Sequence, residues 1–106
     1  MSRNKLKVGG IVYSVLRQKE PIIQDDSLLA GRVVYQEARI ELHSTPDAQY
    51  SMETFLHEKN HIILRQSQLE RMIPADKMEE FVEAFSHWEL MVLRDNAWLM
   101  REIQKL

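Results

Sequence analysis

Two hydrophobic periods follow one another along this chain, and the change from one to the other divides it near residue 45. Residues Lys5 to Arg17 are rich in β-branched and aromatic side chains, with Val8, Ile11, Val12, Tyr13 and Val15 around Gly9-Gly10. That run predicts a strand, broken or bulged at the glycine pair. Lys19 to Leu29 contains Pro21 and the Gln24-Asp25-Asp26-Ser27 cluster and reads as a loop. A second strand is predicted at Arg32 to Tyr35. A third follows at Glu37 to His43, with Ile40 and Leu42 on one face and Arg39, Glu41 and His43 on the other.

Beyond His43 the period lengthens to that of a helix. Ser44 or Thr45 can cap it, with Pro46 at its first position and Asp47 in its first turn. Met52, Phe55, Leu56, Ile62 and Ile63 then recur as one buried stripe, fading between Gln66 and Glu70. Asp76 with Glu79 makes a capping box for a second helix. Its buried face is predicted at Met78, Phe81, Val82, Phe85, Trp88 or Glu89, and Val92. Asp95-Asn96 interrupts it, and Ala97 to Lys105 forms a short terminal helix carrying Trp98 and Leu99. The expected fold is α+β: a small, mostly antiparallel three-stranded sheet, two long helices and a short C-terminal helix. The aromatic and methionine stripes read as core. Trp98 and Met100 have a second reading as partner-covering surface, because so short a chain has little interior.

Length and composition narrow the possible chemistry. The 106 residues suit one domain, 1–106, and 44% hydrophobic residues are enough for one core. The net charge of -2 leaves no general basic footprint, so neither nucleic acid nor an anionic membrane is an expected partner. No apolar run approaches a membrane span, and the basic N-terminus lacks the apolar region of a secretory signal, so a cytoplasmic location is expected. There is no cysteine, which excludes disulfide scaffolds, thiolate zinc sites and cysteine nucleophiles. Any bound metal must be held by Asp, Glu or the four His.

Those histidines carry the main signal. His57-Glu58-Lys59-Asn60-His61 is an H-E-x-x-H pentapeptide inside the first long helix. Residues four apart share a helix face, so both imidazoles can bind one ion. Glu58 lies beside them, where a carboxylate can take a proton from water that the metal has acidified. The alternative is a pair of solvent-facing histidines on a polar helix side.

With this motif, the chain resembles a minimal gluzincin-type zinc metallopeptidase. It is most similar to small phage and mobile-element proteins related to the ImmA/IrrE family. The resemblance runs over Lys5 to Tyr13, Ile40-Glu41-Leu42, Thr54 to His61, and Val82 through Asn96. It implies a single zincin-like domain and a Zn2+ ion held by His57, His61 and Glu83, with Glu58 as general base in peptide hydrolysis. Glu83 lies among Phe81, Val82 and Phe85, which suggests a place near the buried face.

Three features depart from the family pattern. His87 stands where an Asp or Asn is expected to support a ligand histidine, and it can hold that histidine by a hydrogen bond, bind metal directly, or be an ordinary packed or exposed residue. Lys59-Asn60 replace apolar residues, which implies a more exposed or partner-covered face. No motif marks a donor for the oxyanion of peptide hydrolysis, for which Tyr35, His43 and Arg94 are the candidates. The strand Arg39 to His43 reads as a sheet edge, either an ordinary one or one able to pair with an extended peptide. Expected partners are therefore a peptide or protein substrate. The competing function is a non-catalytic protein, phage-like, that binds a partner protein and uses zinc structurally. A DNA-binding regulator is disfavoured, because Ser67 to Ala75 is too long for the turn of a helix-turn-helix.

Overall fold

The computed structural model describes residues 3–106. Strands β1 (Arg3–Val8) and β2 (Ile11–Gln18) pair antiparallel. Gly9 and Gly10 turn the chain between them at φ 56° and 91°. Two consecutive positive φ values are what a two-residue hairpin turn needs, so the glycines divide two strands rather than bulge one. The expected loop over residues 19–29 contains a second hairpin, β3 (Ile22–Gln24) and β4 (Ser27–Leu29). Asp25 and Asp26 turn it at φ 52° and 62°. Short acidic side chains tolerate that region, whereas three-residue strands are too brief to show alternation.

β5 (Gly31–Val34) and β6 (Arg39–His43) complete a four-stranded sheet in the order β1-β2-β6-β5. The outer pairs are antiparallel and β2–β6 is parallel. The sheet is thus mixed, with one strand more than expected. Arg39 to His43 is not an edge: β6 lies between β2 and β5, and β5 takes the edge.

Tyr13, Val15, Ile40 and Leu42 pack with Ile62 of helix α1 (Ala48–Gln66), which covers one face of the sheet. The cap of α1 is Asp47, whose Oδ1 accepts the Tyr50 N–H at 3.0 Å. Pro46 therefore precedes the helix. On the opposite face of β6, Glu41 is buried and accepts from Arg32 Nε at 2.7 Å and Arg39 Nε at 2.8 Å. Burial alone would raise its carboxyl pKa, but the two guanidinium hydrogen bonds outweigh it and hold the value below the usual range. A depressed folded pKa contributes stability above the unfolded pKa and loses it as pH falls. Glu41→Gln is accordingly expected to cost about 1–3 kcal/mol at neutral pH. Denaturant titrations should show that gap closing as Glu41 is protonated in acid.

Gly31 allows close approach between β5 and α1. A Cβ there would lie 2.9 Å from Thr54 Cγ2 and 3.0 Å from the Glu41 carbonyl oxygen. Gly31→Ala must push the two elements apart, with an expected loss of about 1–3 kcal/mol. Thermal unfolding should register a midpoint lower by roughly 10 °C for a chain of this size.

Helix α2 (Met78–Asp95) packs on α1, and α3 (Ala97–Gln104) packs on α2 after a break at Asn96. The buried residues of α2 are Val82 and Ser86. Phe81, Phe85, Trp88 and Val92, expected as core, are exposed. The reason is topological: α2 touches α1 along one narrow stripe and has no second layer on its aromatic side. No helix among the described residues is long and apolar enough to cross a membrane.

Candidate metal centre

α1 carries Glu53, His57 and His61 at four-residue intervals, and therefore along one stripe. Polar contacts fix how α2 lies against it. Asn60 is buried, and its Nδ2 donates to Ser86 Oγ at 3.0 Å and Glu89 Oε1 at 2.9 Å. Lys59 Nζ donates to Glu89 Oε2 at 2.6 Å. Ser86 Oγ in turn donates to the Val82 carbonyl at 2.7 Å. The polar pair within the motif is thus covered by α2 of the same chain, neither exposed nor covered by a partner as expected. Such a network is tolerated in a helix interface because its members are hydrogen-bonded.

This docking brings Glu79, in the first turn of α2, onto the two imidazoles. His57 Nε2 and His61 Nε2 are 3.2 Å apart. Glu79 Oε1 lies 2.7 Å from His61 Nε2, and Oε2 lies 3.1 Å from His57 Nε2. A tetrahedral ion with ligands at about 2.0–2.1 Å spaces its donors about 3.3 Å apart, close to these separations. Both imidazoles are half-buried, while Glu79 is exposed. Two nitrogens and a carboxylate suit a divalent metal ion, and the cluster can coordinate one.

The cluster opens into a cavity of about 1100 Å³ between the β5 edge, α1 and the first half of α2. Glu58 lines it and is buried. Burial pushes its carboxyl up to about 7, with the His57 charge opposing and the Glu79 charge adding to the shift. A carboxyl poised near neutrality can accept and return a proton. Tyr35 also lines the cavity. Burial raises its phenol pKa, against the Arg65 guanidinium, which lies 3.9 Å over the ring, so it remains a hydroxyl donor.

The remaining expected site residues have other neighbours. Glu83 is exposed rather than near the buried face; it lines the cavity, but the carboxylate in the imidazole cluster is that of Glu79. His87 Nδ1 pairs with Glu53 Oε1, not with His57 or His61. Of the three oxyanion candidates, only Tyr35 reaches the cavity. His43 Nε2 contacts the Lys19 carbonyl at 3.2 Å, and Arg94 donates to Gln49 Oε1 at 3.3 Å.

Glu79 and Glu53 are the residues that the sequence pattern missed. Glu79 read as half of a capping box, yet the residue before α2 is Lys77, which makes no side-chain cap, and the Glu79 carboxylate is turned to the histidines. Its available signal was position: Glu79, Glu83 and His87 form a four-residue ladder on α2, matching Glu53, His57 and His61 on α1. No family model matches the chain, and neither a curated protein nor a solved structure matches it. Fold and site together define an α+β protein with a His/His/carboxylate cluster able to hold a divalent ion.

Proposed function

We propose that the chain is a zinc-dependent peptidase of gluzincin type, similar to small phage and mobile-element proteins related to the ImmA/IrrE family. The observation that carries this reading is the convergence of His57 Nε2, His61 Nε2 and the Glu79 carboxylate beside the buried Glu58. His57 and His61 supply the imidazole ligands. Glu79 is the carboxylate in reach, and Glu83, one turn further along α2, is the ligand that the family pattern favours. A zinc ion supplies Lewis acidity there, polarising a carbonyl and acidifying water. With the ion bound, Glu58 would be placed to accept a proton from the attacking water and pass it to the leaving amine. The Tyr35 hydroxyl is the donor available to the oxyanion.

The substrate fits as an extended peptide. β5 is a sheet edge, and Gly31, Arg32 and Val33 line the cavity, so the free edge can pair with a peptide backbone. Glu53 and Glu83 on the cavity wall favour a peptide without acidic side chains at the facing positions. The test is zinc titration of metal-free protein by calorimetry, followed by peptide cleavage. One zinc per chain is expected, with weaker binding in whichever of Glu79→Gln and Glu83→Gln removes the ligand. Absence of stoichiometric zinc binding would overturn the reading.

The second reading, a non-catalytic partner-binding protein with a structural zinc, is favoured by the exposed aromatic face of α2. Glu58→Gln separates the two, since a pure binder has no use for the general base.

A further inference from the structure

His87 fills no place in the metal cluster, and its contacts point to another task. Its Nδ1 donates to Glu53 Oε1, and its ring meets the Trp88 indole edge to face, 5.7 Å between centroids. Glu53 Oε2 has no hydrogen-bond partner among the described residues. Tyr50, one turn before Glu53 on α1, and Trp88 are 51% and 66% exposed. Both line the cavity together with Glu53 and His87. These residues lie beyond the imidazoles, since Glu53 is about 6 Å and Tyr50 about 10 Å from His57 along the helix axis. The β5 edge runs the same way. Gly31 packs at Thr54, beside Glu53, whereas Tyr35, just after β5, packs under Arg65, one turn beyond His61. An extended peptide on that edge rises about 3.3 Å per residue, so it passes Glu53 and Tyr50 two or three residues away from the cluster.

We propose that this end of the cavity is a specificity subsite for a lysine or arginine side chain of the substrate, two or three residues from the bond that is cut. The proposal rests on the peptidase reading and adds the side chain that the site selects. A cation over an aromatic face is attracted by the ring quadrupole, and Glu53 Oε2 supplies a charged acceptor beside the rings. The aliphatic stem of Lys or Arg covers the rings as its head reaches the carboxylate. A neutral apolar side chain leaves Glu53 Oε2 unpaired, and an acidic one adds repulsion. His87 is a positioning residue here: it holds one carboxylate oxygen and leaves the other to the ligand. No lysine or arginine of the chain takes the place. Among the described residues the cavity wall carries one such group, Arg32, and its Nε is tied to Glu41.

Cleavage of a degenerate dodecapeptide library by the zinc-loaded full chain, with the products sequenced by mass spectrometry, tests it. Lys and Arg should be enriched two or three residues from the cleaved bond, and Asp and Glu depleted. Matched peptides carrying Lys or norleucine at that position should differ in kcat/KM by about tenfold or more. Glu53→Gln and Trp88→Ala should each shrink that ratio to about threefold or less, with zinc affinity unchanged. His87→Ala should shrink it as well, and His87→Gln, which can still donate to Glu53, should restore most of it. Glu102→Gln on α3 removes the same charge outside the cavity wall and should leave the ratio as it is. Cleavage at equal rates for Lys and norleucine would overturn the proposal and leave the peptidase reading standing. So would a preference that survives Glu53→Gln and Trp88→Ala, or one that Glu102→Gln abolishes equally. A zinc-loaded protein that cuts no peptide of the library would overturn the peptidase reading and the subsite with it.

Discussion

If the cluster holds zinc as proposed, His61→Ala is expected to lower zinc affinity by about 1000-fold or more, because it would remove one of three protein ligands. Its Nε2 stands 2.7 Å from Glu79 Oε1 and 3.2 Å from His57 Nε2, so it takes part in two of the three contacts of the cluster. The imidazole is half-buried on a helix whose buried apolar residues, Leu56 and Ile62, are untouched by the change. The fold should therefore survive while the site fails. Calorimetric titration and the far-ultraviolet circular dichroism of the metal-free variant check the two halves of this expectation. A variant that still binds one zinc with wild-type affinity would show that the ion sits elsewhere.

Glu58→Gln has the second large effect. On the proposed peptidase reading, hydrolysis should fall by about 10²–10⁴-fold, the usual contribution of a general base, with zinc affinity changed by less than about tenfold. The same variant has a stability signature in the metal-free protein. Burial raises the Glu58 pKa from 4.5 to about 7, so the fold prefers the neutral carboxyl. That preference is fully present below the unfolded pKa and is lost as pH rises towards 7. Ionised Glu58 then costs the fold about 3 kcal/mol. Glutamine cannot ionise, so the variant should gain on the wild type between pH 4.5 and 7 and hold the advantage above. Paired denaturant curves at acidic and mildly alkaline pH measure the difference. An equal response to pH in both proteins would place the proton acceptor elsewhere.

Much of the fold was legible before the chain was folded. Helix α1 follows from its period, and the break between α2 and α3 from Asp95-Asn96. Ile40 and Leu42 were readable as core from simple alternation, and the structure buries both. The errors lie where alternation is too short to detect or where burial depends on a neighbour. β3 and β4 are three-residue strands. β5 became the edge only because β6 inserted beside β2 in parallel, a pairing between residues 14–18 and 39–43 that no local pattern encodes. Glu41 alternates with core residues as a surface charge should, yet two arginines and the sheet bury it.

The site divides in the same way. His57, Glu58 and His61 are set by helical spacing, a local property, so the sequence alone was enough to bring two imidazoles and a carboxylate onto one turn-to-turn neighbourhood of a helix. Which carboxylate would join them was not local. α2 offers Glu79 and Glu83 one turn apart, and the choice rests on how far α2 slides along α1. Hydrogen bonds from Asn60 to Ser86 and Glu89, and from Lys59 to Glu89, set that register and bring Glu79 to the imidazoles. The same docking exposed the aromatic stripe, because α2 has two apolar directions and only one of them meets α1. Spacing within an element is fixed by covalent geometry; register between elements is decided by side chains that meet only in the folded chain.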